Sequence, residues 1–477
     1  MRSTHLGVVI ALAWLGCKRE VEPPAQPPVT AASDDRSHDR SHDPSHDPSH
    51  DLGAAGDAGA AGDASTTGEV GVAAPGPSWY RAVVRAADGV EVWFFLGVPA
   101  PGAAGAAGQA VFKVGDHEVR SAATFDGKTL RIPLAVHQTA VEGTVGPDHS
   151  LRGTFTTSWR AWGASSLPLA ATPIAAPTPS ALATVGPAPV GADAAALDLG
   201  APHSVWRLAM TDSGVAKLVI DQTAPGALTG LLFLGTGNII YLAGNARGDA
   251  VVLCGFDGTS GYRVELTLGA DRARARGKFF GGHRLDWRES LTATRGADFA
   301  LAAQPKVTRP GTQIGLPDQP ELAALAPGPL VVELAGSWCS TCRNAAPFLV
   351  ELYREYQPRG LHMVSLLYEF SDDRALDAAQ AETFKTTYGV TWPVVPIPGS
   401  IDDFAEILPR GLADINPAGF PITLFLAPDR SLVAFHVGFP AADAAAEFRR
   451  VAAEFRANIE TLLASPRAPH RANRHPR

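Results

Sequence analysis

The sequence predicts a multidomain protein: two β-rich domains, sandwich- or barrel-like, followed by a C-terminal α/β domain. Three observations lead there. The chain has 477 residues, more than one hydrophobic core ordinarily serves. Its 48 glycines and 39 prolines are unevenly placed, and where they cluster they mark linkers. The apolar segments also change character along the chain, from short runs of β-formers in its middle to alternating strand and helix patterns in its last third.

The first segment, 1–17, carries Arg2 and then an apolar run from Leu6 to Leu15. That run is too short for a permanent membrane span and has the shape of a secretory signal. Leu15-Gly16-Cys17 resembles a lipoprotein cleavage site at which Cys17 becomes the acylated N-terminus, with Trp14 standing where such sites usually carry Leu. The expectation is export to the cell envelope and a lipid anchor facing the periplasm; the alternative is an ordinary signal with an incidental cysteine. Residues 18–77 are low-complexity, with Ser41-His42-Asp43-Pro44 and Ser45-His46-Asp47-Pro48 as repeats, and bury too little apolar surface to fold. A coil of about sixty residues spans on the order of 45 Å, enough to hold a domain clear of a surface. Its His-Asp repeats read as a solvated tether, with loose metal capture as the alternative. The net charge is −8 with no basic block in the regions expected to fold, which argues against a nucleic-acid partner.

The first β-rich domain is expected over 78–172. Val90 to Leu96, Ala110 to Val114 and Thr129 to Leu134 read as strands between turns. An Ala/Pro-rich linker, 173–202, separates it from a second β-rich domain over 203–301, with strands at Val205 to Met210, Ala216 to Ile220, Leu228 to Leu234, Val251 to Cys254 and Tyr262 to Leu268. The two share landmarks: Phe125-Asp126-Gly127 against Phe256-Asp257-Gly258, and Leu151-Arg152-Gly153-Thr154-Phe155 against Ala275-Arg276-Gly277-Lys278-Phe279. Unequal spacing between the landmarks makes duplication an open inference. Asp257, His283 and Asp286 read as turn or surface residues. Cys254, in an apolar strand, reads as a buried small side chain, with a second redox partner as the weaker alternative.

The C-terminal domain, 302–465, holds the chemistry; a tail, 466–477, follows. The apolar run Val331 to Ala335 breaks at Gly336-Ser337 and runs into Trp338-Cys339-Ser340-Thr341-Cys342. Phe348, Leu349, Leu352, Tyr353 and Tyr356 then recur at helical spacing. Both cysteines therefore fall at a strand-to-helix turn, where unpaired N–H groups and the helix dipole favour a thiolate at Cys339. Cys342, one turn further in, is placed to resolve a mixed disulfide. A zinc half-site would need two more ligands that the spacing does not offer, and a structural disulfide across two residues would stabilise little. After the helix come a strand from Leu361 to Leu367, a helix from Asp372 to Tyr388, a short strand at Trp392 to Val395, a hairpin of Pro421 to Leu426 with Leu432 to Val437, and a last helix carrying Phe448, Val451, Phe455, Ile459 and Leu462.

These residues resemble the thioredoxin-like proteins of the TlpA type, thiol–disulfide oxidoreductases of the bacterial envelope. Trp338 before the nucleophile, Pro347 five residues after Cys342, and Phe420-Pro421-Ile422-Thr423 carry the resemblance. It implies a thioredoxin-like fold, a cis bond at Pro421, and substrate contact by Trp338, Phe420 and Pro421. Glu333, six residues before Cys339, stands where that family has a buried proton-transfer acid; read from the residue alone, it is also compatible with an edge-strand carboxylate. The family's glycine-rich hairpin before the first core strand is hard to find between Val307 and Pro329.

The resulting expectation is an envelope thiol–disulfide oxidoreductase, a protein disulfide reductase, with Cys339, Cys342 and Glu333 catalytic. Its partners would be protein thiols and disulfides, an upstream electron donor of the envelope, and a membrane through the lipid on Cys17. No cofactor and no metal are expected. A thiol peroxidase of the redoxin type would need a Pro and a Thr or Ser where Val332 and Gly336 stand. A non-catalytic envelope binding protein is the other alternative.

Overall fold

The computed structural model describes residues 78–102, 107–158, 164–178, 181, 202–235, 237–299, 301, 311–369, 373–399, 407–412, 419–442 and 444–464. The leader with Cys17, the stretch 18–77, most of the linker and the tail lie outside them.

The first β-rich region is a closed barrel of eight strands. They are β1 (Ser78–Arg85), β2 (Glu91–Val98), β3 (Ala107–Val114), β4 (His117–Phe125), β5 (Thr129–Leu134), β6 (Thr139–Val145), β7 (Leu151–Thr157) and β8 (Ser165–Ile174). Each pairs antiparallel with the next, and β8 closes onto β1 from Trp79↔Ile174 to Val84↔Leu169. A barrel rather than a sandwich follows from that last pairing, which leaves no edge. In β5, Leu130, Ile132 and Leu134 point into the core while Arg131 and Pro133 face solvent, the period-2 pattern of a strand with one wet face.

The second region is also a closed eight-stranded barrel. Its strands are β9 (His203–Met210), β10 (Gly214–Ala224), β11 (Ala227–Phe233), β12 (Ile239–Arg247), β13 (Ala250–Phe256), β14 (Gly261–Leu268), β15 (Arg274–Gly282) and β16 (Trp287–Gly296). Here β16 returns to β9.

The Arg-Gly landmark occupies the same place in both barrels, the seventh strand. A Cβ on Gly153 would lie 1.9 Å from the Glu142 carbonyl oxygen, and one on Gly277 1.9 Å from that of Glu265, so each glycine lets the sixth and seventh strands approach. The Phe-Asp-Gly landmark is not equivalent: it follows the fourth strand of the first barrel and the fifth of the second. Its recurrence reflects turn chemistry. Asp126 accepts from the Lys128 and Thr129 amides, and Asp257 from those of Thr259 and Ser260.

The barrels are fused by aromatic packing. Phe256 of the second stacks on Phe94 of the first at 4.2 Å and meets Phe155 edge-on at 5.0 Å. Ala227, Ala243, Cys254 and Leu285 also join the first barrel's core. His117 stacks on Tyr241 at 3.9 Å.

The C-terminal region is a five-stranded mixed sheet with helices. After α1 (Pro320–Ala323) come β17 (Leu330–Ala335), α2 (Ser340–Tyr356), β18 (His362–Leu367), α3 (Arg374–Tyr388), β19 (Val394–Pro396), β20 (Ile422–Leu426), β21 (Leu432–Val437) and α4 (Ala445–Ala464). The sheet order is β19-β18-β17-β20-β21, with β17 parallel to β18 and antiparallel to β20. β17 is central and buried throughout, so Glu333 is no edge-strand carboxylate. Asp373 caps α3 through the Ala375 and Leu376 amides. In place of a glycine-rich hairpin, the segment before α1 bonds to the tip of the last hairpin: Ile314 donates to the Arg430 carbonyl and Leu432 to that of Thr312.

Candidate active site

β17 delivers the chain to the N-terminus of α2, where Cys339 is the capping residue. Its Sγ accepts from the Cys342 amide at 3.1 Å, satisfying one of the donors a helix start leaves unpaired. Cys339 and Cys342 are joined as a disulfide with Cα atoms 5.3 Å apart. Gly336 is required just upstream, because the Trp338 indole folds back so closely that a Cβ there would lie 2.3 Å from Nε1. That indole donates to the Tyr368 carbonyl at 2.9 Å and meets Phe420 edge-on at 5.7 Å. The Phe420–Pro421 bond is cis. The structure therefore brings Trp338 and Phe420 into contact, with Pro421 next in the chain.

Glu333 is fully buried. The Ser365 hydroxyl donates to its Oε2 at 2.6 Å and itself accepts from the Trp392 indole N–H at 2.9 Å. Oε1 has no hydrogen-bond partner among the described residues. Burial raises its carboxyl to about 7, the Ser365 bond offsetting only part of that. An acid with that value can take and release a proton near neutrality.

A second buried acid, Glu369, escaped the sequence reading. It accepts from the Ser337 amide at 2.9 Å and the Ser337 hydroxyl at 2.8 Å, fixing the residue two before Cys339. Burial raises it to about 7 as well, despite those two bonds. Its signal was available: it is an acid directly after the apolar run Leu366-Leu367-Tyr368, as Glu333 is an acid within one.

The barrels also reach this site. Between β5 and β6 a 3-10 turn, Ala135–His137, puts Val136 into the C-terminal core and buries His137 against Ser337. His137 Nδ1 lies 2.9 Å from the Ser337 carbonyl oxygen, and Nε2 lies 3.4 Å from the Arg343 guanidinium. Donation from Nδ1 and acceptance at Nε2 is the neutral tautomer. Burial, then Arg343, hold its pKa down at about 3.

Arg343 also donates to the Asp257 carbonyl at 2.9 Å. Burial alone would raise the Asp257 carboxyl, but Arg343 and bonds from Thr259, Ser340 and Ser260 outweigh it and hold the group below the usual carboxylate range. Asp257 is thus a turn residue, as its Asx geometry shows, and also a part-buried counter-charge to α2. His117, Tyr241, Asp257, Tyr262, Ser340 and Arg343 help line a cavity of about 20 Å³ here. His283, expected at a turn or surface, is buried, and its carbonyl accepts from the Ser165 hydroxyl at 3.4 Å, while Asp286 lies beside Arg284 on the surface. Cys254 is fully buried, its thiol pushed up to about 11 by burial, and its Sγ faces the Glu91 carbonyl at 3.9 Å. Such a thiol is inert, and the redox-partner alternative for it finds no support in this placement. Nothing in the sequence of His137, Asn238 or Arg343 set them apart from surface residues.

No family model matches the chain, and no curated protein matches it. Among solved structures, it is similar to a thiol:disulfide interchange protein of the thioredoxin family from Chlorobium tepidum, at 16% identity and TM-score 0.22, covering 33% of this chain and 99% of that one. It is also similar to the thioredoxin domain of a thiol-disulfide oxidoreductase from Bacteroides vulgatus, at 18% and 0.21, covering 27% and 79%. A thioredoxin-like superfamily protein aligns at 19% and 0.26, covering 34% and 100%. These values measure a partial likeness in fold, and the chemistry of this chain rests on its own residues.

Proposed function

We propose that the chain is a thiol–disulfide oxidoreductase with a thioredoxin-like C-terminal domain, acting as a reductant of protein disulfides in the cell envelope. The observation that carries this reading is the Cys339–Cys342 pair at the cap of α2, on a turn fed by a buried strand that holds an acid titrating near 7. In the reduced enzyme, the Cys339 thiolate attacks one sulfur of a substrate disulfide. The substrate S–S bond breaks, and the leaving sulfur departs as a thiolate that takes up a proton. Glu333 accepts the Cys342 proton, and the Cys342 thiolate attacks Cys339 Sγ. The mixed disulfide breaks, the second substrate sulfur leaves, and the enzyme ends oxidised while the substrate is reduced by two electrons. A dithiol donor of the envelope restores Cys339 and Cys342.

Trp338, Phe420 and Pro421 would contact the substrate beside Cys339. Acylated Cys17 would anchor the protein to the membrane, with 18–77 as the spacer. A domain division at 78–172, 203–301 and 302–465 goes with this reading. The peroxidase alternative would need groups that Val332 and Gly336 do not provide.

The test uses the full chain. With dithiothreitol as electron source, wild type should accelerate insulin reduction and Cys339→Ser should abolish the acceleration; activity surviving in Cys339→Ser refutes the assignment.

A further inference from the structure

We propose that the two fused barrels are a built-in cover over the Cys339–Cys342 disulfide, so that a protein partner reaches the sulfurs only after the barrel pair shifts off the start of α2. The inference rests on the exchange chemistry proposed above. Exchange requires a thiolate to reach a sulfur, and its rate depends on that access. Cys342 is fully buried and Cys339 is 6% exposed. Neither offers a surface on which another protein could seat a cysteine.

Barrel atoms bond the chain before, between and after the two cysteines. His137 meets the Ser337 carbonyl at 2.9 Å, before the cysteines. Asn238 Oδ1 accepts from the Thr341 hydroxyl at 3.2 Å, between them. The Asp257 carbonyl accepts from Arg343 at 2.9 Å, just after them. Around the last hairpin, the Tyr241 hydroxyl accepts from the Ala441 amide at 2.9 Å. The backbones of Gly237 and Gly438 touch so closely that a Cβ on Gly438 would lie 1.9 Å from the Gly237 oxygen, while the Gly438 amide donates to the Pro421 carbonyl.

The seam is chemically unlike the one between the barrels. Barrel meets barrel through Phe256, Phe94 and Phe155, a contact that loses much apolar burial on opening. Besides Val136 and the Arg343–Asp257 charge pair, the contacts over the disulfide are hydrogen bonds and glycine backbone, which water can replace when the seam opens. The weaker seam opens first, and the barrels leave as one body.

The experiment measures how fast dithiothreitol reduces the disulfide in the full chain, by trapping free thiols with a maleimide and reading the mass shift. Gly237→Asn places a Cβ 2.6 Å from the Val437 carbonyl oxygen, and Asn tolerates the positive φ of 83° better than most residues. Asn238→Ala combined with Tyr241→Phe removes two seam bonds without touching the backbone, and carries the test if the first variant fails to fold. Reduction at least tenfold faster than wild type supports the cover. Equal rates in wild type and the double variant overturn it. Variants that reduce quickly yet pass no electrons to insulin would refute the exchange activity while leaving the cover standing.

Discussion

The two barrels share a connectivity and differ in what they offer the C-terminal domain. In each, the turn between the fifth and sixth strands reaches α2. The first barrel presents Ala135–His137, an apolar anchor and a neutral imidazole that accepts from Arg343. The second presents Asp257 to Ser260, an Asx turn that holds an anion in place. One cation, Arg343, thus faces a neutral acceptor on one side and a negative charge on the other. Equivalent positions in one fold can carry different electrostatic roles, because turn residues contribute little to closing a barrel and are free to serve what packs against it.

The most severe way to break that contrast is Arg343→Leu, which leaves the part-buried Asp257 carboxylate without its cation. We expect a loss of about 2–4 kcal/mol in urea unfolding of the full chain. A loss below 1 kcal/mol would mean that the turns do not depend on the guanidinium.

The pH dependence of stability sharpens it next. The folded pKa of His137, about 3, lies below its unfolded 6.5, so its contribution is complete above pH 6.5 and is lost as pH falls toward 3. Glu333 and Glu369 are raised from 4.5 to about 7, so theirs is complete below pH 4.5 and is lost as pH rises through 7. The limbs overlap between pH 4.5 and 6.5, and wild type should be most stable within that range. His137→Asn, which keeps a donor for Ser337 and does not titrate, should remove roughly 2–3 kcal/mol of the acid-side loss at pH 4.5 and move the optimum to lower pH. An unmoved optimum would show that the imidazole protonates freely in the folded chain.

The smallest effect tests where the barrels agree. Gly153→Ala and Gly277→Ala should each cost about 1–3 kcal/mol by forcing apart the sixth and seventh strands. A cost in one barrel alone would show that the shared landmark does different work in the two.

How much of this the sequence carried follows from the range of the signals. The CxxC turn, α2, the central strand and the last hairpin are written in neighbouring residues, and Glu333 stood out as an acid in an apolar run. β4 and β16 did not stand out: His117-Glu118-Val119-Arg120 and Trp287-Arg288-Glu289-Ser290 carry too many polar residues to read as strands, and they are held by partners across the barrel. The share of the barrels in the site was illegible for another reason. His137 and Asn238 lie 206 and 103 residues from the α2 residues they bond. A polar residue in a turn looks the same whether water or another domain covers it. Phe-Asp-Gly misled as a mark of equivalent position because the turn it makes is favourable wherever a hairpin needs one.

Barrel closure has a further consequence for a protein made of so many strands. Among the described residues, only the five-stranded sheet has unpaired margins. One is β19, three residues long and ending in Pro396; the other, β21, is bridged at Ser431 to Gln313 beside its start. Both are poor templates for a neighbouring copy. Its described strands therefore offer little for strand-to-strand aggregation to grow from.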